Sequence, residues 1–190
     1  MSRVGLSHCK VVIDTVRRQF DTPAMSTDSA SIRVVPAAES DVPLILSFIQ
    51  RLAEYERLSS VCVATEDGLR QTLFEHPRAA EVLLAYEGIA PVGFALFFHN
   101  YSTFLAQRGL FLEDLFVIPE ARAKGVGYAL LSALANVALS RNCGRMEWNV
   151  LRWNQLALDF YLRIGAVPLD DWATYRLTGE SLQRLAEATG

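Results

Sequence analysis

An apolar segment ending in Leu115-Phe116-Val117-Ile118 runs through Pro119 into Arg122-x-x-Gly125-x-Gly127, and the apolar stretch 126–140 follows at once. A strand that turns directly into a helix leaves the first helical amides unpaired and pointing outward, at the positive end of the helix dipole. Glycines there allow close backbone approach, and Arg122 and Lys124 add charge. Such a turn can hold a pyrophosphate, although a tight strand-to-helix turn needs the same glycines without any ligand. No Gly-Lys-Ser/Thr follows, which excludes a P-loop, and the three-glycine dinucleotide fingerprint is absent.

Glu113 is the second residue that asks for a chemical reason. It lies inside an apolar strand, where strict alternation puts Phe111, Leu115 and Val117 on its face and Asp114 on the other. A carboxylate on an apolar face is costly unless it is paired. Either one of the arginines pairs with it, or it accepts a proton. On the next strand, alternation places Glu147 and Asn149 on a common face. Asn154 can cap the helix that follows, and Tyr161 lies two turns along it, where an aromatic is ordinarily core.

The elements that must hold these residues alternate in kind. Ile32–Val35, Val82–Tyr86, Val92–Phe98, Leu110–Ile118, Met146–Leu151 and Thr174–Leu177 read as strands, the second and third joined by a Glu87-Gly88 hairpin turn. Helices are expected over 41–58, from 65 to about 75, and over 126–140, 154–164 and 180–188. This is an α/β domain: a hairpin-built, mostly antiparallel mixed sheet of about six to seven strands, flanked by about four to five helices. It should occupy residues 31–190. Residues 1–30 read as a poorly ordered extension, in which Val12, Val16 and Phe20 permit a short amphipathic helix and Met25 offers an alternative start.

Composition narrows the function. With 18 basic against 21 acidic residues the chain has a net charge of −3, which argues against nucleic-acid binding. Its apolar runs outside the domain are too short for a membrane span. The three cysteines (Cys9, Cys62 and Cys143) and three histidines are scattered without metal-ligand spacing. They indicate no metal site and a reducing, cytoplasmic location.

The joint pattern of these segments resembles the GNAT superfamily, and more narrowly its spermidine/spermine (diamine) and thialysine acetyltransferase branch. The residues that carry the resemblance are LAEYERL (52–58), VGFALFF (92–98), FLEDLFVIPEARAKGVG (111–127), VLRWNQLALDFYLRIGA (150–166) and YRL (175–177). The resemblance implies the GNAT acyltransferase fold and transfer of acetyl from acetyl-CoA to an amine. It implies that backbone groups of Leu115, Phe116 and Val117 pair with the pantetheine arm. The pyrophosphate would lie on Arg122, Ala123, Lys124, Gly125, Val126, Gly127 and Tyr128. This family usually has glycine where Ala123 stands, a change tolerable if the local φ is negative.

By the same resemblance Asn154 lies beside the cofactor arm, and Tyr161 is the acid that protonates the departing thiolate. A phenol of pKa ~10 is protonated at neutral pH. Glu113 becomes the acceptor's anchor and proton acceptor, through water. Tyr55, Glu56, Glu147, Trp148 and Asn149 fall near the acceptor. Deprotonation is needed because an amine of pKa ~10.4 is mostly ammonium at pH 7, and finding it neutral costs roughly 4–5 kcal/mol.

The loop Tyr101-Ser102-Thr103-Phe104 and Ala173 stand where polyamine-acetylating relatives carry acidic residues, so a thialysine- or lysine-like amino acid leads and a diamine or polyamine follows. A non-catalytic acetyl-CoA sensor and a protein or peptide N-acetyltransferase are the alternatives. Relatives in this branch are commonly homodimers, which is the assembly expected here.

Overall fold

The computed structural model describes residues 31–188 together with the backbone of residues 10–11. The described elements are, in order, β1 (Lys10–Val11), β2 (Ile32–Pro36), α1 (Val42–Tyr55), α2 (Glu66–Leu73), β3 (Glu81–Glu87), β4 (Ala90–Ser102), β5 (Gln107–Val117), α3 (Val126–Ser140), β6 (Arg145–Trp148), α4 (Gln155–Arg163) and α5 (Gly179–Glu187). The helix expected around Val12–Phe20 lies outside the described residues.

Among the described residues six strands form one sheet in the order β1-β5-β4-β3-β2, with β6 also paired to β5. The β2–β3, β3–β4 and β4–β5 pairs are antiparallel, while β5 runs parallel to β6 and to β1. This is the expected mixed, mostly antiparallel sheet. Its apolar rows cover both faces. Leu84, Phe94 and Phe116 stand in register on one face, where they pack with Ile45, Phe48 and Leu52 of α1. Phe48 stacks on Phe94 at 5.7 Å between ring centres. Leu83, Ala95 and Leu115 make the alternate row, and α3 crosses β2 to β5 on that side, with Leu130 and Leu134 fully buried.

Two features of β5 depart from strict alternation and shape the site. Leu96 of β4 is in register with Asp114 and Phe97 with Leu112, so Glu113 is an extra residue, a β-bulge. The expected common face of Phe111, Leu115 and Val117 is thereby corrected, because Phe111 stands opposite Phe98 in the other row. Asp114 joins the row of Phe116, while Leu112 and Leu115 share the opposite face. A bulge sets two residues of one strand against one of its neighbour, which resets the period-two pattern beyond it.

The second feature is the splay between β5 and β6. Their pairing runs from Gly109↔Arg145 to Leu112↔Trp148 and stops there. The expected strand through Leu151 therefore ends at Trp148, and Asn149 falls beyond it. Beyond Leu112 the same edge of β5 meets β1, with Lys10 opposite Asp114 and Val11 opposite Leu115.

Residues 161–190 form a separate compact unit. It begins with the end of α4, which closes at Gly165 (φ 86°), and ends in α5. The strand expected at Thr174–Leu177 is not among the described strands: these residues are coil, and Tyr175 is 93% exposed. A strand needs a neighbour to satisfy its backbone, and sequence pattern alone cannot supply one.

Candidate active site

The strand-to-helix turn after β5 forms as the glycine spacing requires. Pro119–Ala121 make one tight turn, Arg122 is extended, and Gly125 adopts φ 87° as the N-cap of α3. The first helical bond runs from the Ala129 amide to the Gly125 carbonyl, leaving the amides of Val126, Gly127 and Tyr128 outside the helical ladder. No side chain caps this helix start. Gly125 is exposed, and a Cβ added there would meet nothing within 4 Å. The turn is open to solvent and carries the positive end of a 15-residue helix dipole, which suits a pyrophosphate.

Ala123 differs from expectation. Its φ is +63°, in the left-handed region that favours glycine. The condition for tolerating alanine here is therefore not met, and the methyl group holds local strain.

The charged residues of the turn are already engaged. Lys124 Nζ lies 3.0 Å from Glu87 Oε2 in the β3–β4 hairpin. Arg122 turns inward: Nε donates to the Val117 carbonyl at 3.1 Å, and the guanidinium carbon sits 5.0 Å from the centre of the Tyr55 ring. Tyr55, at the C-terminal end of α1, in turn packs against Trp153 at 6.0 Å. The sequence reading placed Tyr55 near the acceptor but missed Trp153, whose signal was the Trp-Asn pair itself. Glu56 follows Tyr55 where α1 ends, and its Oε2 is shielded from solvent.

On the neighbouring strands Glu147 Oε2 accepts from Asn100 Nδ2 and pairs with Arg145 Nε, each at 2.8 Å. Its charge is compensated within the sheet. Trp148 closes the pairing of β6 opposite Leu112, next to the bulge. Asn154 caps α4 as expected: its Oδ1 accepts the Ala157 amide at 3.3 Å, and the residue is 7% exposed. Tyr161, two turns along α4, is 5% exposed. Ser102, in the loop read for substrate preference, is buried and accepts the Leu105 amide, so it builds the β4–β5 turn.

One strand thus brings together the bulged Glu113, the splayed backbone edge of Asp114 to Val117 and the anion-suited turn. Comparison with known proteins gives the family. The family model of the acetyltransferase (GNAT) family matches residues 49–166. The chain belongs to the GNAT family.

Among its relatives, the thialysine N-epsilon-acetyltransferase of Bos taurus is 37% identical over 168 residues, covering 83% of this chain and 98% of the relative. The L-ornithine N5-acetyltransferase of Arabidopsis thaliana is 33% identical over 198 residues, covering 80% and 87%. Among solved structures, an integron cassette protein from the mobile metagenome of V. cholerae superposes with a TM-score of 0.69 at 28% identity, covering 83% of this chain and 98% of that one. This GNAT protein is an acetyl-CoA-dependent N-acetyltransferase acting on amines.

Proposed function

We propose that this GNAT enzyme acetylates the side-chain amine of a small cationic amino acid of the thialysine, lysine or ornithine kind, by direct attack within a ternary complex. The observation that carries the proposal is the bulge at Glu113 beside the splayed edge of β5. A bulge re-aims a side chain. Here that side chain is a carboxylate, next to backbone that β6 leaves uncovered. The two relatives named above act, by their names, on the side-chain nitrogens of thialysine and ornithine. Diamines remain the second choice, and the Tyr101–Phe104 loop and Ala173 add no acidic residue for a polyamine.

Acetyl-CoA supplies the acyl group already activated as a thioester. The chain's own residues do the rest. Backbone groups of Leu115, Phe116 and Val117 orient the pantetheine arm as an added strand. Backbone amides from Ala123 to Tyr128 hold the pyrophosphate, and Asn154 borders the arm. Glu113 takes a proton from the incoming ammonium through water, with Tyr55, Glu56, Trp148, Asn149 and the edge of Glu147 around the acceptor. Tyr161 returns a proton to the leaving sulfur. Holding amine and thioester in one geometry supplies much of the rate.

The sensor reading would need neither Glu113 nor Tyr161. A homodimer in the cytoplasm completes the proposal. In residues 161–190 alone, Val167, Leu169, Trp172 and Tyr175 are each more than 60% exposed, which supports a second copy as their cover.

The test is thiol release from acetyl-CoA against thialysine, lysine, ornithine, putrescine, spermidine, spermine and short peptides. Turnover confined to the amino acids supports the proposal. Turnover of polyamines or peptides alone, or acetyl-CoA binding without any thiol release, overturns it.

A further inference from the structure

We propose that Arg122 is a positioning residue that ties the cofactor turn to the acceptor-side ring of Tyr55, a role that rests on the acetyltransfer reading above. The motif by itself points an arginine at the phosphates. The folded chain turns it the other way. Its Nε is fixed on the last carbonyl of β5, at Val117, and its face lies on Tyr55. Nη2 is buried and finds no acceptor among the described residues. A guanidinium in water keeps all its donors satisfied, so this one gives up hydration for one carbonyl and one ring.

Only arginine can make both contacts at once. Its planar fork donates along an edge while its face stacks, whereas a lysine ammonium is a point charge that must choose. Two elements that carry different parts of the site are thereby joined. Val117 ends the strand whose backbone edge orients the donor, and Tyr55 ends α1 on the acceptor side, braced in turn by Trp153. Loss of Arg122 frees the Tyr55 ring and disturbs amine placement. The amides from Ala123 to Tyr128 still hold the phosphates.

Five full-length proteins test this: wild type, Arg122→Met, Arg122→Lys, Tyr55→Leu and the Arg122→Met/Tyr55→Leu double variant. The readouts are kcat and KM for the best amine of the panel, and CoA affinity by calorimetry. Arg122→Met is expected to raise the amine KM five- to tenfold and to move the CoA Kd less than twofold. Arg122→Lys should stay within twofold of Arg122→Met. The double variant should add less than a further twofold to Tyr55→Leu alone, because coupled residues are not additive.

A tenfold loss of CoA affinity with the amine KM unchanged would make Arg122 a phosphate ligand and overturn the proposal. Effects that multiply in the double variant would overturn it as well. Failure of the underlying reading has a different signature, a wild type that releases no thiol with any amine. In that case the melting temperatures of the same proteins decide the tie: non-additive losses keep it, and additive ones remove it.

Discussion

Lys124 Nζ lies 3.0 Å from Glu87 Oε2, so the lysine of the anion-suited turn is shared with a carboxylate on the β3–β4 hairpin. Both side chains are partly exposed, at 49% and 28%, where such a pair contributes well under ~1 kcal/mol. The pair is therefore easily traded for a phosphate. Glu87→Gln is expected to tighten CoA binding two- to threefold at low salt, with the gain fading as salt rises. Lys124→Ala should weaken it by a similar factor. Calorimetry at two ionic strengths checks both, and identical affinities for all three proteins would remove Lys124 from the phosphate site.

Tyr161→Phe is expected to lower kcat by roughly 10- to 100-fold, in the range of a lost general acid, with CoA affinity kept within about twofold. A parallel loss of CoA binding would make the buried phenol a packing residue instead. Glu113→Gln should shift the acid limb of the pH–rate profile or raise the amine KM. Kinetics matching the wild type would remove it from proton transfer.

Ala123 holds φ +63°. Ala123→Gly relieves a left-handed strain of about 1–2 kcal/mol and gives back about 0.4–1 kcal/mol through a freer unfolded chain. A net gain of about 0.5–1 kcal/mol should raise the melting temperature by about 1–4 °C. A lower melting temperature would mean that the methyl group makes a contact worth more than its strain.

Acidification should destabilise the fold in two steps of the same sign. Burial, then the charge of Arg141, holds His99 below its ordinary 6.5. Between the two values the unfolded chain binds the extra proton, so stability is lost as pH falls from about 6.5 through the folded value. Glu81 is held below 4.5 chiefly by its hydrogen bonds from Arg141, including Nη2 to Oε2 at 2.8 Å. Its contribution is present above 4.5 and lost as pH falls through the lower folded value. Denaturant midpoints at pH 8, 6 and 4 should fall in that order. His99→Gln should flatten the first step and Glu81→Gln the second.

Lys10 and Val11 pair with Asp114 and Leu115, the same backbone edge that the pantetheine arm would use. One edge cannot pair with both. Acetyl-CoA should therefore raise hydrogen exchange at the Val11 amide, and Val11→Pro should lower the KM for acetyl-CoA severalfold. Unchanged exchange on saturation would mean that the arm and β1 do not share the edge.

The sequence alone determined the order and kind of most elements, because apolar periodicity and capping are local. Val126–Ser140 is the helix expected from its apolar run, and Asn154 caps the helix it precedes. Gly125 at φ 87° is the turn that the glycine spacing requires. Tertiary structure decided what depends on neighbours. The bulge at Glu113 exists only against Leu96 and Phe97 of β4, so alternation read along one strand wrongly put Phe111 on the face of Leu115 and Val117. Asn149 lies outside β6, whose pairing with β5 ends at Leu112, and Thr174–Leu177 is coil. Arg122 met Tyr55 across 67 positions of sequence, a contact that no local pattern encodes. Periodicity fixes which way a chain segment tends to curl; partner register and side-chain reach fix which groups meet.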